Sequence, residues 1–367
     1  MKPIGIYIHV PFCCGKCPYC DFYSVNLSEQ LISAYTDETI RRIHELKPYG
    51  IAADTIYFGG GTPSLLGGGN IERIMSELNK CVKITSNAEI TVEANPSSDL
   101  VEFLHGCSAA GVNRLSLGMQ SAVRHELAAI GRRHSPDDVL RAMERAYSVG
   151  IDNISLDLML GIPHQTSHSL NTSLEFINQS APAHVSAYML KIEEGTPFYN
   201  MRNSLKIPDD DGMADLYEQA FSTLDSFGYA QYEISNAARN GKVSLHNMKY
   251  WNCDEYIGLG PAAHGFFMGK RYFFGRSLTD YLNGVLPQFD CFGGTEDEYI
   301  MLRMRLAEGI TELGMNERFG HGISEKIRNK AKKFEKPGLC RCSAKEIALT
   351  RKGMLVSNSI IADLLSD

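Results

Sequence analysis

Eight consecutive residues, Cys13-Cys-Gly-Lys-Cys17-Pro-Tyr-Cys20, carry four of the chain's ten cysteines. Thiolates are soft ligands that suit iron–sulfur clusters or zinc. The spacing CxxxCxxC puts Cys13, Cys17 and Cys20 on one short loop, which Gly15 and Pro18 bend. Cys14 adjoins Cys13, and neighbouring residues rarely point at the same cube. Position 22, where another cysteine would extend the run, is Phe22. Three thiolates hold three corners of an iron–sulfur cube and leave one iron open, whereas a structural zinc site would need a distant fourth ligand. Cys81, Cys107, Cys253 and Cys291 are scattered and read as small buried hydrophobes. Cys340-Arg-Cys342 is a ligand pair without partners, which leaves its role open.

These thiolates need a scaffold, and the first two-thirds of the chain supplies one. Short apolar runs at Ile4–Val10, Thr55–Phe58, Glu89–Glu93, Arg114–Leu117, Asn153–Leu158 and His184–Tyr188 alternate with helical patterns. Leu31, Ile32, Tyr35, Thr39, Ile43 and Leu46 recur at helical spacing. Ser135-Pro136-Asp137-Asp138 reads as a helix start and Gly150 as its stop. Met213, Leu216, Tyr217, Ala220, Leu224 and Phe227 form a third apolar face, ending at Gly228. Six strand–helix alternations imply parallel strands with helical crossovers, closed into a barrel, partly open or doubly wound. In each case ligands gather at the carboxyl ends of the strands. The chemistry-bearing segments fall there: the cysteine loop, Gly59-Gly-Gly-Thr-Pro-Ser64, Glu93-Ala-Asn-Pro96, Gly118-Met-Gln120 and Asp157.

After about Asn236 the alternation fades into Gly- and aromatic-rich sequence between Tyr250 and Tyr272. A helix through Tyr299, Leu302 and Leu306, a basic stretch Lys326–Lys336 and an amphipathic segment Lys352–Leu365 follow. The expected division is therefore residues 1–235 as the α/β core and 236–367 as a smaller, mainly helical domain. Glu325 and Glu335 flank the basic stretch, which reads as a solvated helix face. With 367 residues, 44% hydrophobic and 22% charged, the chain is globular, and a net charge of −7 argues against a nucleic-acid partner. No apolar run approaches the roughly 18 residues of a membrane span. His9 and Pro11 interrupt the first apolar segment, so the expected location is cytoplasmic.

The motifs have a family resemblance. CxxxCxxC with Tyr19, on the first loop of a parallel α/β unit, resembles the radical S-adenosylmethionine (SAM) superfamily. Tyr7-Ile-His-Val-Pro-Phe-Cys13, Tyr57-Phe-Gly-Gly-Gly-Thr-Pro-Ser64, Leu115-Ser-Leu-Gly-Met-Gln120, Gly131-Arg-Arg-His-Ser135 and Asp157-Leu-Met-Leu-Gly-Ile-Pro163 resemble the coproporphyrinogen dehydrogenase-like group. The resemblance runs from about Tyr7 to the C-terminus. It implies a partial (β/α)6 TIM-like barrel with a smaller, mainly helical α/β C-terminal domain. It also implies that Cys13, Cys17 and Cys20 ligate a [4Fe–4S] cluster whose open iron chelates SAM. Tyr7, Tyr19, Gly60, Gly61, Thr62, Glu93, Gln120, Arg132 and Asp157 would bind SAM. Gly60 and Gly61 would leave room for its close approach, and Arg132 suits its carboxylate. No single residue is implied as catalytic.

Within the group, Phe22 departs from the CxxxCxxCxC run of the dehydrogenase, and only six residues precede Tyr7. Both features resemble the HemW-type haem-chaperone branch. So does His246-Asn-Met-Lys-Tyr-Trp251, similar to an HNxxYW haem-binding motif. An imidazole serves as an axial haem ligand and aromatic rings offer flat apolar area, so the resemblance assigns His246, Tyr250 and Trp251 to haem. It implies delivery of haem to an acceptor protein and supply of electrons by a donor. The alternative is a radical enzyme acting on a porphyrin, as a coproporphyrinogen III dehydrogenase or a haem-modifying methyltransferase.

Overall fold

The computed structural model describes residues 2–96 and 100–366. Six parallel strands form its centre: β1 (Ile4–Val10), β2 (Ala52–Gly60), β3 (Lys83–Ala94), β4 (Arg114–Gln120), β5 (Asn153–Leu160) and β6 (His184–Met189). They lie in chain order, each paired in parallel with the next. Such strands are covered on both faces and read as near-continuous apolar runs. In β4 every residue is buried.

Helices supply the crossovers: α1 (Glu29–His44), α2 (Gly68–Cys81), α3 (Leu100–Ala109), α4 (Pro136–Ser148), α5 (Ser167–Ser180) and α6 (Asp210–Ser226). Their caps are local and legible. Ser28 Oγ accepts from the Leu31 amide at 3.2 Å, and Ser135 forms a capping box with Asp138. Asp209 caps α6 through the Gly212 amide. Leu46, expected on the first helix, lies past its end.

The sheet is open. On the β6 side it continues through two short antiparallel strands, β7 (Ala230–Gln231) and β8 (Asn236–Ala238), with β8 next to β6. On the β1 side, β9 (Tyr256–Leu259) pairs in parallel with β1. Antiparallel strands β10 (His264–Phe267), β11 (Lys270–Phe273) and β12 (Gln288–Phe292) follow. Among the described residues the two ends of this twelve-stranded sheet do not pair, which fits a partial rather than a closed barrel. The Gly- and aromatic-rich stretch is thus a set of short strands that extends the core sheet.

The remaining C-terminal elements are largely helical, with a three-stranded sheet of Ile310–Thr311, Cys340–Cys342 and Glu346–Leu349. They surround a second core that includes Ile300, Met315, Ile347 and Ile360. Glu325–Lys332 is a helix with Ile327 and Ala331 buried and its lysines outward. The final segment divides into Arg351–Leu355 and Ser357–Leu365. Among the described residues no helix is long and apolar enough to cross a membrane.

Candidate cluster and SAM site

The carboxyl ends of β2 to β6 and the cysteine loop enclose a cavity of about 590 Å³. The loop is tied to the sheet by backbone. Phe12–Cys13 pairs in parallel with Val25–Asn26, so the chain leaves and returns at one place. The Gly61 amide donates to Val10 O and the Thr62 amide to Phe12 O, both at 2.8 Å. Thr62 Oγ1 lies 3.5 Å from Cys13 Sγ. A turn brings the Cys20 amide onto Cys17 O at 3.1 Å, and Pro18 O accepts from the Phe198 amide at 3.0 Å. Cys13, Cys17 and Cys20 are half-buried and line the cavity, while Cys14 is exposed.

Among the described residues, no group of three or more His, Cys, Asp or Glu side chains is arranged to hold a single metal ion. A multi-iron cluster spaces its thiolates through its own sulfide and iron framework, so three cysteines around one cavity suit a cluster. Burial pushes the Cys20 thiol up, with the neighbouring Cys17 and Cys13 adding to it. Positive metal charge would reverse that direction.

The same cavity is lined by two acids, Glu93 and Asp157. Glu93 Oε1 accepts from the Tyr57 hydroxyl at 2.7 Å and Oε2 from the Gly60 amide at 3.2 Å. Burial, together with the Asp157 carboxyl, pushes Glu93 up to about 7. Burial also raises Asp157 to about 6, although Ser116 Oγ donates to it at 3.2 Å and Arg114 and Arg132 oppose the rise. Two desolvated acids facing a cavity are suited to a cationic ligand. The Arg132 guanidinium donates to Asn95 and to the Tyr19 hydroxyl, the latter at 3.0 and 3.3 Å. Gln120 has φ +64, a strained value for a non-glycine residue, and its Oε1 accepts from the Tyr188 hydroxyl at 2.7 Å.

Two polar atoms in the cavity lining lack partners. Arg114 Nε makes no hydrogen bond, its nearest carboxylate being Glu89 at 3.9 Å, and Asn236 Oδ1 is likewise unsatisfied. Both side chains are buried. An orphaned donor and an orphaned acceptor in a polar cavity call for a polar ligand. SAM fits this lining, as its ammonium, carboxylate and ribose present both signs and both hydrogen-bonding roles.

Eleven of the residues picked out from sequence therefore share one cavity: Cys13, Cys17, Cys20 and Tyr19 from the cysteine loop, Gly60, Gly61, Thr62, Glu93, Gln120 and Asp157 from β2 to β5 and the turns that follow them, and Arg132 from the loop before α4. The two glycines also answer to a packing constraint. A Cβ at Gly60, where φ is +110, would lie 2.5 Å from the His9 ring, and one at Gly61 would lie 2.6 Å from Phe12 O. Packing against His9 of β1 and against the backbone of Val10 and Phe12, where the chain enters the cysteine loop, calls for glycine at both positions.

Tyr7 is placed elsewhere. Its hydroxyl donates to His9 Nδ1 at 3.0 Å, and its side chain lines a second, larger cavity. His246 is not brought to either cavity. It sits on α7 (Leu245–Trp251), whose N-terminus is held by Ser244 and by the Glu89 carboxylate, which accepts from the Leu245 and His246 amides at 3.1 Å. The imidazole Nδ1 bonds Thr55 Oγ1 and Nε2 bonds the Tyr250 hydroxyl, both at 2.8 Å. Its ring lies 5.2 Å from that of Tyr57, which is bonded to Glu93. Burial, then Lys249 and Arg114, hold it down to about 3. His246 is thus a neutral, doubly bonded residue beneath the floor of the cluster cavity. Trp251 is half-buried and lines neither cavity, while Tyr250 lines the larger one. Arg114 and Asn236 were not picked out from sequence, and Tyr57, Asn95 and Asn247 stood in the quoted motifs without a role of their own, yet all five also line the cluster cavity.

A cysteine loop above an open parallel sheet, facing buried acids at the strand ends, defines a radical SAM protein. The superfamily pattern of that name matches residues 7–177, and the HemN C-terminal domain pattern matches residues 297–356. The protein named heme chaperone HemW of Bacillus subtilis is 34% identical over 380 residues, covering 98% of this chain and 99% of its own. The Escherichia coli protein of the same name is 37% identical over 268 residues, covering 72% and 70%. The solved structure of Escherichia coli coproporphyrinogen III oxidase (HemN) superposes with a TM-score of 0.83 at 20% identity, covering 99% of this chain and 90% of that one, so the two share a fold. The chain belongs to the HemW family within the radical SAM superfamily.

Proposed function

We propose that this protein is a haem chaperone: it binds haem beside a SAM-coordinated [4Fe–4S] cluster and hands the haem to an acceptor protein. The observation that carries this reading is the shared wall of the two cavities. Asp21 and Phe22 line both the cluster cavity and the larger, aromatic-lined one of about 850 Å³. Phe22 stands where a further cysteine would sit in the dehydrogenase, and it is 67% exposed. The near-full-length similarity to proteins named heme chaperone HemW supports the same reading.

Cys13, Cys17 and Cys20 would hold the cluster. Arg132 would receive the SAM carboxylate, exchanging part of its present bonding to Asn95 and Tyr19. Glu93 and Asp157 would take N–H and O–H donors of the amino and ribose groups, while Thr62 and Gln120 would present a hydroxyl and an amide to the same ligand. When bound, a cluster with an open iron supplies one-electron reduction of the SAM sulfonium. The chain itself orients the cation, fixes the acids' protonation and uses Tyr57 and Gly60 to hold Glu93 in place. Residues 1–235 would supply most of this site, with Asn236 and Asn247 added from the segment 236–367, which also supplies the second wall of the larger cavity. An electron donor and a haem acceptor complete the cycle. The ten free thiols suit a reducing, cytoplasmic setting.

The test uses anoxically reconstituted full-length protein. It should take up haem stoichiometrically and transfer it to an apo-haemoprotein, and with coproporphyrinogen III, SAM and reductant it should give no protoporphyrinogen. Formation of that product, or no haem uptake, would overturn the reading.

A further inference from the structure

Arg114 is a buried cation with nothing to hold. Its side chain is 2% exposed and lines the cluster cavity, yet its guanidinium makes no hydrogen bond among the described residues. The nearest carboxylate, Glu89, stays 3.9 Å away, and its two oxygens already accept from the Leu245 and His246 amides. A buried charge is costly unless it is paired and hydrogen-bonded.

A second unpartnered donor stands beside it. Tyr57 of β2, Thr91 of β3 and Arg114 of β4 pair in one row of the register, so their side chains leave the same face of the sheet. Thr91 is fully buried, and its Oγ1 has no partner either. Tyr57, by contrast, is committed to Glu93. Asn247 adds an amide to the cavity from α7, whose first amides rest on Glu89. A guanidinium fork and a hydroxyl side by side are what a carboxylate accepts from.

SAM leaves both donors unused. It brings one carboxylate, and Arg132, which lies against Tyr19 of the cysteine loop, is matched to it. Arg114 is at the other end of the cavity. It opens β4 and Gln120 closes that strand, roughly 20 Å further on at about 3.3 Å per residue. Both line the cavity, which therefore runs the depth of the sheet. The neighbouring charges admit an anion there. Glu93 and Asp157 lie beyond 4 Å from Arg114 and are pushed up to about 7 and about 6, so an approaching carboxylate favours their neutral forms. His184 and His246, whose pKa values burial lowers, are neutral.

We infer that the deep end of the cluster cavity is a second ligand subsite, in which Arg114 and Thr91 receive the carboxylate of a molecule other than SAM. The inference rests on the reading that gives Arg132 and the strand-end acids to SAM. Binding is by charge and hydrogen bonds alone, and no covalent bond forms or breaks.

Carbon-13 formate, the smallest carboxylate, is titrated at constant ionic strength into anoxically reconstituted full-length protein, with and without saturating SAM, and its line broadening gives Kd. Wild type should bind formate in both arms. In the SAM arm Arg114→Met should weaken that binding at least about tenfold with the cluster spectrum unchanged. Arg114→Lys keeps the charge without the planar fork and should fall between the two. Thr91→Val, nearly isosteric and lacking only the hydroxyl, should weaken it severalfold and gives a second variant if Arg114→Met does not fold. Formate released by SAM would assign Arg114 to SAM itself and overturn the inference. So would equal binding by Arg114→Met and Thr91→Val, or no binding by wild type. Chloride that displaces formate at equal concentration would overturn the carboxylate class. Protein that takes no SAM but binds formate through Arg114 would remove the SAM reading alone.

Discussion

Lowering the pH should weaken SAM binding, and the size of the effect follows from two acids. Glu93 is raised to about 7 and Asp157 to about 6, each chiefly by burial. The SAM sulfonium is cationic and its amino and ribose groups are hydrogen-bond donors, so bound SAM favours the ionised form of both acids; binding then releases protons and affinity falls as pH falls. Between pH 8 and pH 6 the ionised share of Glu93 drops about tenfold and that of Asp157 about twofold, so Kd should rise roughly 20-fold. The stability of the ligand-free protein runs the other way. Acids with raised folded pKa values contribute stability while protonated and lose it as pH climbs through about 6 to 7. SAM should therefore raise Tm more at pH 8 than at pH 6. Isothermal titration of the cluster-loaded protein across this range is the assay. In Glu93→Gln the pH dependence should shrink to about the twofold share of Asp157. Affinity at pH 8 should fall as well, because an amide has one acceptor oxygen for the two donors, Tyr57 and Gly60, that the carboxylate now satisfies. A flat wild-type profile between pH 6 and 8 would refute the assignment of the two acids to a cationic ligand.

Serine at Cys13, Cys17 or Cys20 should abolish acid-labile sulfide after reconstitution, whereas serine at exposed Cys14 should leave it at the wild-type level; sulfide assay separates the two outcomes. Gly61→Ala should destabilise the fold by about 1–3 kcal/mol, since its Cβ would meet Phe12 O at 2.6 Å and Val10 O at 2.8 Å. Denaturant titration measures this, and an unchanged midpoint would show that the loop yields freely. Arg132→Lys keeps the charge but removes the planar fork that reaches Asn95 and Tyr19. It should weaken SAM binding about tenfold with the cluster intact, and equal affinity would dissociate Arg132 from the carboxylate.

The centres of the six parallel strands were legible because strands buried on both faces read as apolar runs. Ile4–Val10 matches β1 from end to end. The other strands were read short: Gly59 and Gly60 close β2, and Gly118 and Gln120 lie in the end of β4, where glycine and amide residues carry no strand signal, while β3 was missed over its polar start, Lys83–Ala88. The segment Tyr250–Phe292 gave no period, because each of its strands is four or five residues long and depends on distant partners. Within the site, motif spacing located the cysteines and the strand-end acids. Arg114 starts an apolar strand and Asn236 lies in a bland Ser-Asn-Ala-Ala run, so only their unsatisfied buried atoms mark them. Tyr7 and His246 show the converse. Both occupy motif positions, but hydrogen bonds to His9, Thr55 and Tyr250 fix where their polar atoms go, and no sequence pattern reports that.

The most direct measurement is electron paramagnetic resonance of the reduced, anoxically reconstituted protein with and without SAM, joined to iron, sulfide and zinc analysis. About four irons and four sulfides per chain, with a signal that changes shape when SAM is added, is the result expected of three-cysteine ligation with an open iron. Zinc without sulfide, or a cluster signal indifferent to SAM, would contradict it.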